Sequence, residues 1–302
     1  MNNYVGYGNP GRTGYEKYGI NDLSVARKVI LLPPGTTIAN AATAKLQATW
    51  TALAKNPFAT RAFPFPLAVE CKPSGGTTIM AKTALSGDVP IREEVSSIAL
   101  SYVVNPILAA ELRKCNFKKW DVILIDAFDN IIGWTPDGTK LKGLTTTSVF
   151  FGQMAHSDGS KARENELMIT FANPKEFNDN PFIIMGSGLD WYPTQLDGTT
   201  GVKMTITASV GTGFTVSVNA AGMDVADPRG AYVGLAKADF VVTKDGNSFS
   251  LSAATMTDNG DGTYTFVVTC GTGVYIVSLV TAANNSVVAY NIEASRTGTF
   301  TI

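Results

Sequence analysis

Residues 120–134 read WDVILIDAFDNIIGW, and this stretch decides the fold. Its first apolar run, 122–125, is followed by the turn residues Asp129 and Asn130, and a second apolar run, 131–134, comes directly after them. Two apolar runs separated by a short polar turn are typical of a β-hairpin. The stretch therefore predicts two paired strands, and the rest of the chain is interpreted around them.

Short apolar segments on both sides of this hairpin predict further strands. They are bounded by glycine, proline and polar residues, which is the pattern of strands separated by turns. The segments cover residues 65–71, 77–83, 95–104, 140–151 and 167–171. A polar loop at residues 153–166 separates the last two segments.

Two helices are predicted among these strands. In residues 38–55, Leu46 and Trp50 are four positions apart and would share one helical face. The second helix begins at Pro106, because proline suits the first helical position and Asn105 can cap the helix before it.

The sequence changes character after a linker at residues 190–201. All four tryptophans precede its end, and short alternating segments then recur about every 8 to 12 residues, which is typical of a β-sandwich. Four of these segments are residues 214–218, 239–243, 264–268 and 274–278. Residues 201–302 therefore predict an immunoglobulin-like β-sandwich.

The chain as a whole is predicted to be mainly β and to have three parts. Residues 1–24 are rich in glycine, tyrosine and asparagine and predict an extended N-terminal arm. Residues 25–200 predict a β-sandwich or barrel-like domain with one or two helices, which we expect to carry assembly. Residues 201–302 form the third part, the sandwich.

The arm leaves two alternatives open: a frayed terminus, or a segment ordered only against a neighbouring subunit. Tyrosine provides large contact area at low entropic cost, which favours the second alternative. The residues predicted to make assembly contacts are Tyr4, Tyr7, Tyr15, Tyr18 and, in the polar loop, His156.

The composition argues against several classes of function. The net charge of −1 lacks the basic excess that general nucleic-acid binding requires. One histidine and three well-separated cysteines do not supply the usual ligands of a zinc site or a Cys–His pair. We therefore expect no catalytic residues, no metal and no cofactor. Because no secretory signal and no apolar run of about 18 residues is evident, we also expect no membrane partner and synthesis in the cytoplasm.

The order of segments resembles the tail tube (major tail) proteins of long-tailed bacteriophages. It runs from a strand at 96–104 and a helix at 106–114, through the hairpin, to a long strand at 142–151 and its partner at 166–171. The sandwich resembles the immunoglobulin-like module that some of these proteins carry at their C-terminus, with Phe266 where antibody-type domains have cysteine.

The resemblance implies a non-enzymatic virion protein whose N-terminal region stacks into hexameric rings around a DNA channel. It also implies that the N-terminal arm and the loop near His156 reach adjacent rings. The implied partners are copies of the chain, other virion proteins, and DNA that passes without sequence-specific contact. Three alternatives stay open: another virion component (capsid-associated or connector), a surface adhesin or carbohydrate-binding module, and an enzyme such as a glycoside hydrolase.

Overall fold

The computed structural model describes residues 3–5, 24–56, 58–83, 87–153, 163–220, 230–279, 286–287 and 292–302. As predicted, the chain is mainly β. It divides into two compact units, Met1–Gly198 and Thr199–Ile302. The sequence places the boundary two residues later. Across the described residues, no helix combines the length and the apolar character that a membrane span needs.

Unit 1 is built on one branched sheet and a separate hairpin. Its described strands are β1 (Asn3–Val5), β2 (Ala26–Leu32), β3 (Thr37–Ile38), β4 (Phe63–Pro64), β5 (Glu70–Ser74), β6 (Thr78–Thr83), β7 (Gly87–Glu93), β8 (Ser97–Tyr102), β9 (Asp121–Asp126), β10 (Ile131–Trp134), β11 (Leu141–Lys142), β12 (Leu144–Phe151), β13 (Asn165–Phe171) and β14 (Pro181–Ile184). Its described α-helices are α1 (Ala41–Ala44), α2 (Gln47–Lys55), α3 (Pro106–Leu112) and α4 (Pro174–Asp179).

The pair β2–β9 lies at the centre of unit 1 and is buried on both faces. Alternate residues of a strand point to opposite faces, so one strand can serve two cores. Val29 and Val122 belong to a core with the β12–β13–β8 strands, whereas Ile30 and Ile123 belong to a second core with α2 and β14. Burial on both faces explains why these strands read as continuous apolar runs.

The sheet branches at β9, and the predicted hairpin forms one side of the branch. Strand β10 pairs antiparallel with β9, with Ile131 opposite Ile125, which confirms the hairpin. The sheet runs in the order β1–β14–β10–β9–β12–β13–β8–β5, and β2 pairs with β9 as well. The predicted pairing of the two long strands is also confirmed, because β12 pairs antiparallel with β13.

The first predicted helix, 38–55, is wrong in its bounds. Ile38 belongs to a short strand, and the helix is interrupted between α1 and α2 at Leu46, whose side chain is 57% exposed. The buried indole of Trp50 donates a hydrogen bond to the Ala44 carbonyl (2.8 Å), and the Thr49 hydroxyl donates to the Thr43 carbonyl (2.8 Å). In a continuous helix the carbonyls of Thr43 and Ala44 would accept hydrogen bonds from backbone N–H groups four residues later. Here they accept from side chains instead.

The second predicted helix is confirmed, and a similar one was missed. The Asn105 side chain accepts a hydrogen bond from the Leu108 backbone N–H (2.8 Å), with Pro106 at the first position of α3. Helix α4 begins in the same way, with Asn173 as cap and Pro174 following it.

Unit 2 is a two-sheet sandwich. Its described strands are β15 (Thr200–Val210), β16 (Gly213–Ala220), β17 (Phe240–Lys244), β18 (Asn247–Phe249), β19 (Thr255–Asp258), β20 (Thr263–Val267), β21 (Val274–Leu279), β22 (Ser286–Val287), β23 (Ile292–Arg296) and β24 (Gly298–Thr301). One sheet has the order β19–β20–β16–β15–β23–β22 and the other β18–β17–β21–β24.

A single aromatic-rich core joins these two sheets. Phe214 of one sheet contacts Phe300 of the other, with ring centroids 5.1 Å apart, and Phe240 packs edge-on against Phe266 at 5.2 Å. Burial of such rings is the main stabilising contribution in a sandwich of this size. The predicted strands at 214–218, 239–243, 264–268 and 274–278 all lie in it.

Candidate functional site

Strands β6 and β7 form a hairpin that stands apart from both cores of unit 1. We call the strand residues 78–83 and 87–93 the exposed hairpin. Among the described strands, β6 pairs with β7 alone, and every residue of β7 is exposed. Met80, Val89 and Ile91 are 49%, 39% and 64% exposed. A two-stranded hairpin is marginally stable by itself, so this one needs a partner surface to be rigid.

The exposed hairpin continues the pair β5–β8 beyond a glycine-containing junction. Gly75 has φ +73°, and a Cβ there would lie 2.4 Å from the Val95 carbonyl oxygen. The Thr77 hydroxyl donates to the Glu94 carboxylate (2.8 Å), which closes the base of the hairpin. At about 3.4 Å per residue, the six residues of β6 extend about 20 Å from this base.

The edges of the exposed hairpin are poorly suited to adding another strand. Pro90 lies in β7 and has no N–H to donate, and the register shifts between Ile79 and Met80. Lys82 and Asp88 face each other across the pair. Proline, bulges and charges are the features that prevent edge-to-edge pairing. The hairpin is therefore better suited to contact a partner through one of its faces than through an edge.

A second exposed surface surrounds Phe117. Its side chain is 93% exposed and its φ is +61°, a conformation that costs a bulky residue about 1–2 kcal/mol. The ring packs edge-on against half-exposed Phe150, with centroids 5.9 Å apart, and Phe150 lies directly opposite exposed Met168 on β13. The exposed cations Arg113, Lys114, Lys118 and Lys119 flank Phe117 in the sequence. We call these seven residues the Phe117 patch.

The Phe117 patch is held beside strand β12. The Asn116 side chain donates to the Phe151 carbonyl (3.0 Å) and accepts from the Phe151 backbone N–H (2.7 Å). Cys115 is buried just before it, and burial raises the pKa of its thiol to about 11. A thiol with that pKa is protonated at neutral pH and so is a poor nucleophile.

The turn of the hairpin at 121–134 holds another group of polar side chains. The buried carboxylate of Asp126 accepts hydrogen bonds from the backbone N–H groups of Ser24, Phe128 and Asn130, at 2.8–2.9 Å. It also accepts from the Asn130 side chain (2.8 Å). Four hydrogen bonds satisfy this buried carboxylate, so it fixes the turn.

Asp129 and Lys28 attach a segment that is distant in the sequence, at Thr194, to the same turn. The Asp129 carboxylate accepts from the Thr194 backbone N–H (2.9 Å) and hydroxyl (2.6 Å), and buried Lys28 donates to the Thr194 carbonyl (2.8 Å). Burial lowers the pKa of Lys28, and the carboxylates of Asp197 and Asp129 oppose that shift. These contacts hold Thr194, which lies shortly before the unit boundary, against the rest of unit 1.

An open cleft of about 340 Å³ adjoins this turn. Phe128 and Tyr192 line it and are 59% and 62% exposed, and the exposed carboxylate of Asp190 lies there as well. Trp191 also lines the cleft, but its indole N–H is already donated to the Lys45 carbonyl (2.7 Å). Aromatic faces beside a carboxylate suit a small polar ligand with apolar ring faces.

Little of the predicted assembly site falls within the described residues. Tyr7, Tyr15, Tyr18 and His156 lie outside them. Tyr4 lies in β1, whose backbone pairs with β14 opposite Ile183. Residues 3–5 of the predicted arm are therefore a strand of the chain's own sheet, which neither alternative for the arm anticipated. The edge of β14 provides the backbone groups that this strand pairs with.

Sequence reasoning missed both exposed surfaces. Strand β7 contains glycine, proline and three charged residues, so it lacks the usual strand pattern. A usable signal was the spacing of Val89 and Ile91, two positions apart and flanked by the charged residues Asp88 and Arg92. For the Phe117 patch, the signal was one aromatic residue among four cations within residues 113–119.

No family profile matches the chain, and no curated protein matches it. The function is therefore inferred from the surfaces of the chain itself.

Proposed function

We propose that this protein is a virion structural protein that assembles with copies of itself, as stacked rings that form a phage tail tube around a DNA channel. The exposed hairpin is the observation that supports self-assembly. The segment order that resembles tail tube proteins supports the particular assembly. Copies of the chain are the main partners, and other virion proteins meet the ends of the assembly.

The exposed hairpin supports assembly because its structure is incomplete in the single chain. It exposes three large apolar side chains on two strands, and none of the core clusters in the described part of the chain includes a residue of it. One hydrogen bond, from the Asn178 side chain to Glu93 (3.1 Å), connects it to α4. Covering these apolar residues with a partner gains about 25 cal/mol per Å² of apolar surface.

The charge balance suits a channel that DNA traverses. A lumen with strong positive charge would bind the phosphates and hold the DNA in place. The chain carries 24 basic and 25 acidic residues, so neither sign dominates. In this proposal the DNA passes without sequence-specific contact.

The test compares the wild-type chain with a variant whose residues 78–93 are replaced by an Asn-Gly turn. Negative-stain electron microscopy over a range of concentrations should show tubes or stacked rings for the wild type and dispersed particles for the variant. Thermal unfolding of the variant should match the wild type, because both cores are intact. Tubes from the variant would remove the hairpin from the proposal, and closed shells from the wild type would indicate a capsid or connector component.

A second candidate, saccharide binding, is favoured by the cleft beside Phe128 and Tyr192. Exposed aromatic rings bind the apolar faces of sugars, and Asp190 offers a hydrogen-bond acceptor. Glycan-array binding by the wild type that Tyr192→Ala abolishes would support this function. Equal array signals from both proteins would contradict it.

A further inference from the structure

We propose that the exposed hairpin of one copy docks on the Phe117 patch of the next copy. This inference rests on the proposed self-assembly and specifies the two surfaces that meet. It also accounts for Phe117, which is exposed and has a strained backbone although the fold of the single chain does not require either. Residues in such conformations cluster at functional sites.

One face of the exposed hairpin has the composition that the patch requires. Residues directly opposite each other on antiparallel strands share a face. Met80 lies opposite Pro90, and the same face carries the Lys82–Asp88 pair and, nearer the base, Glu93. The face thus has an apolar centre between two carboxylates.

The two surfaces are complementary in polarity and in charge. The apolar centre of the patch consists of Phe117, Phe150 and Met168, and methionine and proline pack well on aromatic rings. The hairpin face has two carboxylates and one amine, a net charge of −1. The patch has four exposed cations, of which Lys114 pairs with Glu111 (2.5 Å). Opposite charges around an apolar centre favour this orientation.

The two surfaces lie on opposite edges of the same part of the sheet. The strands run in the order β12–β13–β8–β5, with the patch beside β12 and the exposed hairpin continuing β5 and β8. Each copy can therefore give its hairpin to one neighbour and receive a hairpin from another. Such head-to-tail contacts between two different surfaces generate rings or filaments.

The first test is Phe117→Gly, because glycine adopts a φ of +61° without strain. The variant should unfold at the wild-type temperature or slightly above it, while the concentration required for assembly rises on the order of tenfold or more. Tyr192→Ala, which removes another exposed aromatic outside the patch, is the control and should assemble normally. Wild-type assembly by Phe117→Gly would overturn the inference.

The second test exchanges charges. Asp88→Lys with Glu93→Lys, and Arg113→Glu with Lys119→Glu, should each assemble poorly as separate chains. A mixture of the two should recover assembly, because in alternating copies each altered surface meets a surface of opposite charge and the two unchanged surfaces pair as in the wild type. One chain carrying all four changes should also recover assembly. Failure of the fourfold variant, with its fold intact, would contradict the pairing.

The third test traps the contact itself. The double variant Met80→Cys, Phe117→Cys should form a ladder of disulfide-linked chains under mild oxidation, and neither single variant nor the wild type should. If the wild type stays monomeric and the double variant forms no ladder at high concentration, the proposed function and this inference are both overturned. Normal assembly by Phe117→Gly with weakened duplex-DNA binding would instead make the patch a nucleic-acid site and overturn only this inference.

Discussion

Two of the antiparallel hairpins in unit 1 have opposite surroundings. The hairpin β9–β10, which we call the buried hairpin, has Ile123 and Ile125 fully buried, whereas in the exposed hairpin Ile91 is 64% exposed. The buried hairpin is stabilised by two cores and by the Asp126 turn. The exposed hairpin is closed at its base by Thr77 and Glu94, and the Asn178 side chain of α4 donates a hydrogen bond to Glu93. The same secondary structure therefore stabilises the fold in one place and presents a surface in the other.

The comparison teaches that strand pairing alone does not indicate what a hairpin is for. Burial distinguishes the two, because apolar area removed from water is the main source of stability. A substitution in the buried hairpin should change unfolding, and one in the exposed hairpin should change assembly. Three experiments can break or sharpen this distinction.

The largest effect is expected from matched isoleucine truncations. Ile123→Ala should lower the free energy of unfolding of unit 1 by about 2–5 kcal/mol, because it leaves a cavity in a packed core. Ile91→Ala should change it by less than about 0.5 kcal/mol and should weaken assembly instead. Urea unfolding with sedimentation velocity measures both quantities. An equal loss of stability in the two variants would show that the exposed hairpin belongs to the folded core.

An intermediate effect is expected from matched aspartate truncations. Asp126→Ala removes the acceptor of four hydrogen bonds and should cost about 3 kcal/mol, because buried N–H groups lose their partner. Asp88→Ala removes a carboxylate from the exposed hairpin and should leave the free energy of unfolding within about 0.5 kcal/mol of the wild type. Thermal unfolding measures the stability of both variants. A loss of stability in Asp88→Ala as large as that in Asp126→Ala would refute the distinction between the two hairpins.

The smallest effect is expected at two glycines, one in the junction before the exposed hairpin and one in β7. Gly75 and Gly87 have φ of +73° and +70°, but only at Gly75 does a new Cβ meet a backbone oxygen, at 2.4 Å. Gly87→Ala should cost about 1 kcal/mol locally, and Gly75→Ala somewhat more. Hydrogen exchange of the β6 and β7 amides reports this local stability. Slower exchange in Gly75→Ala than in Gly87→Ala would show that the junction tolerates the contact.

The buried hairpin was predictable because its signals are local. Its apolar runs and its polar turn lie within a few residues of each other and need no knowledge of distant partners. Helix α3 was predictable for the same reason, because its cap residues Asn105 and Pro106 are adjacent. Helix α4 has the same cap, Asn173–Pro174, but only six residues, which is too short for a periodic pattern to emerge. Local patterns therefore predict the mainly β fold but do not predict its shortest elements.

The exposed surfaces were not predictable because they depend on distant contacts. The segment at 77–83 was correctly predicted as a strand, yet its partner is β7, and the sequence does not show that this pair leaves the sheet. The positive φ of Phe117 follows from the position of Asn116 against Phe151, 35 residues away in the chain. Contacts at that separation are set by the whole fold.

The central pair β2–β9 has a consequence for how homologous sequences can diverge. Ile30 lies opposite Ile123, and Leu31 lies opposite Val122, and the two pairs belong to different cores. A change of side-chain volume at Ile30 is compensated across the ladder at Ile123, and the adjacent Leu31 is insulated from it by the backbone. Substitutions in related chains should covary between facing positions of these strands, and consecutive positions along either strand should vary independently.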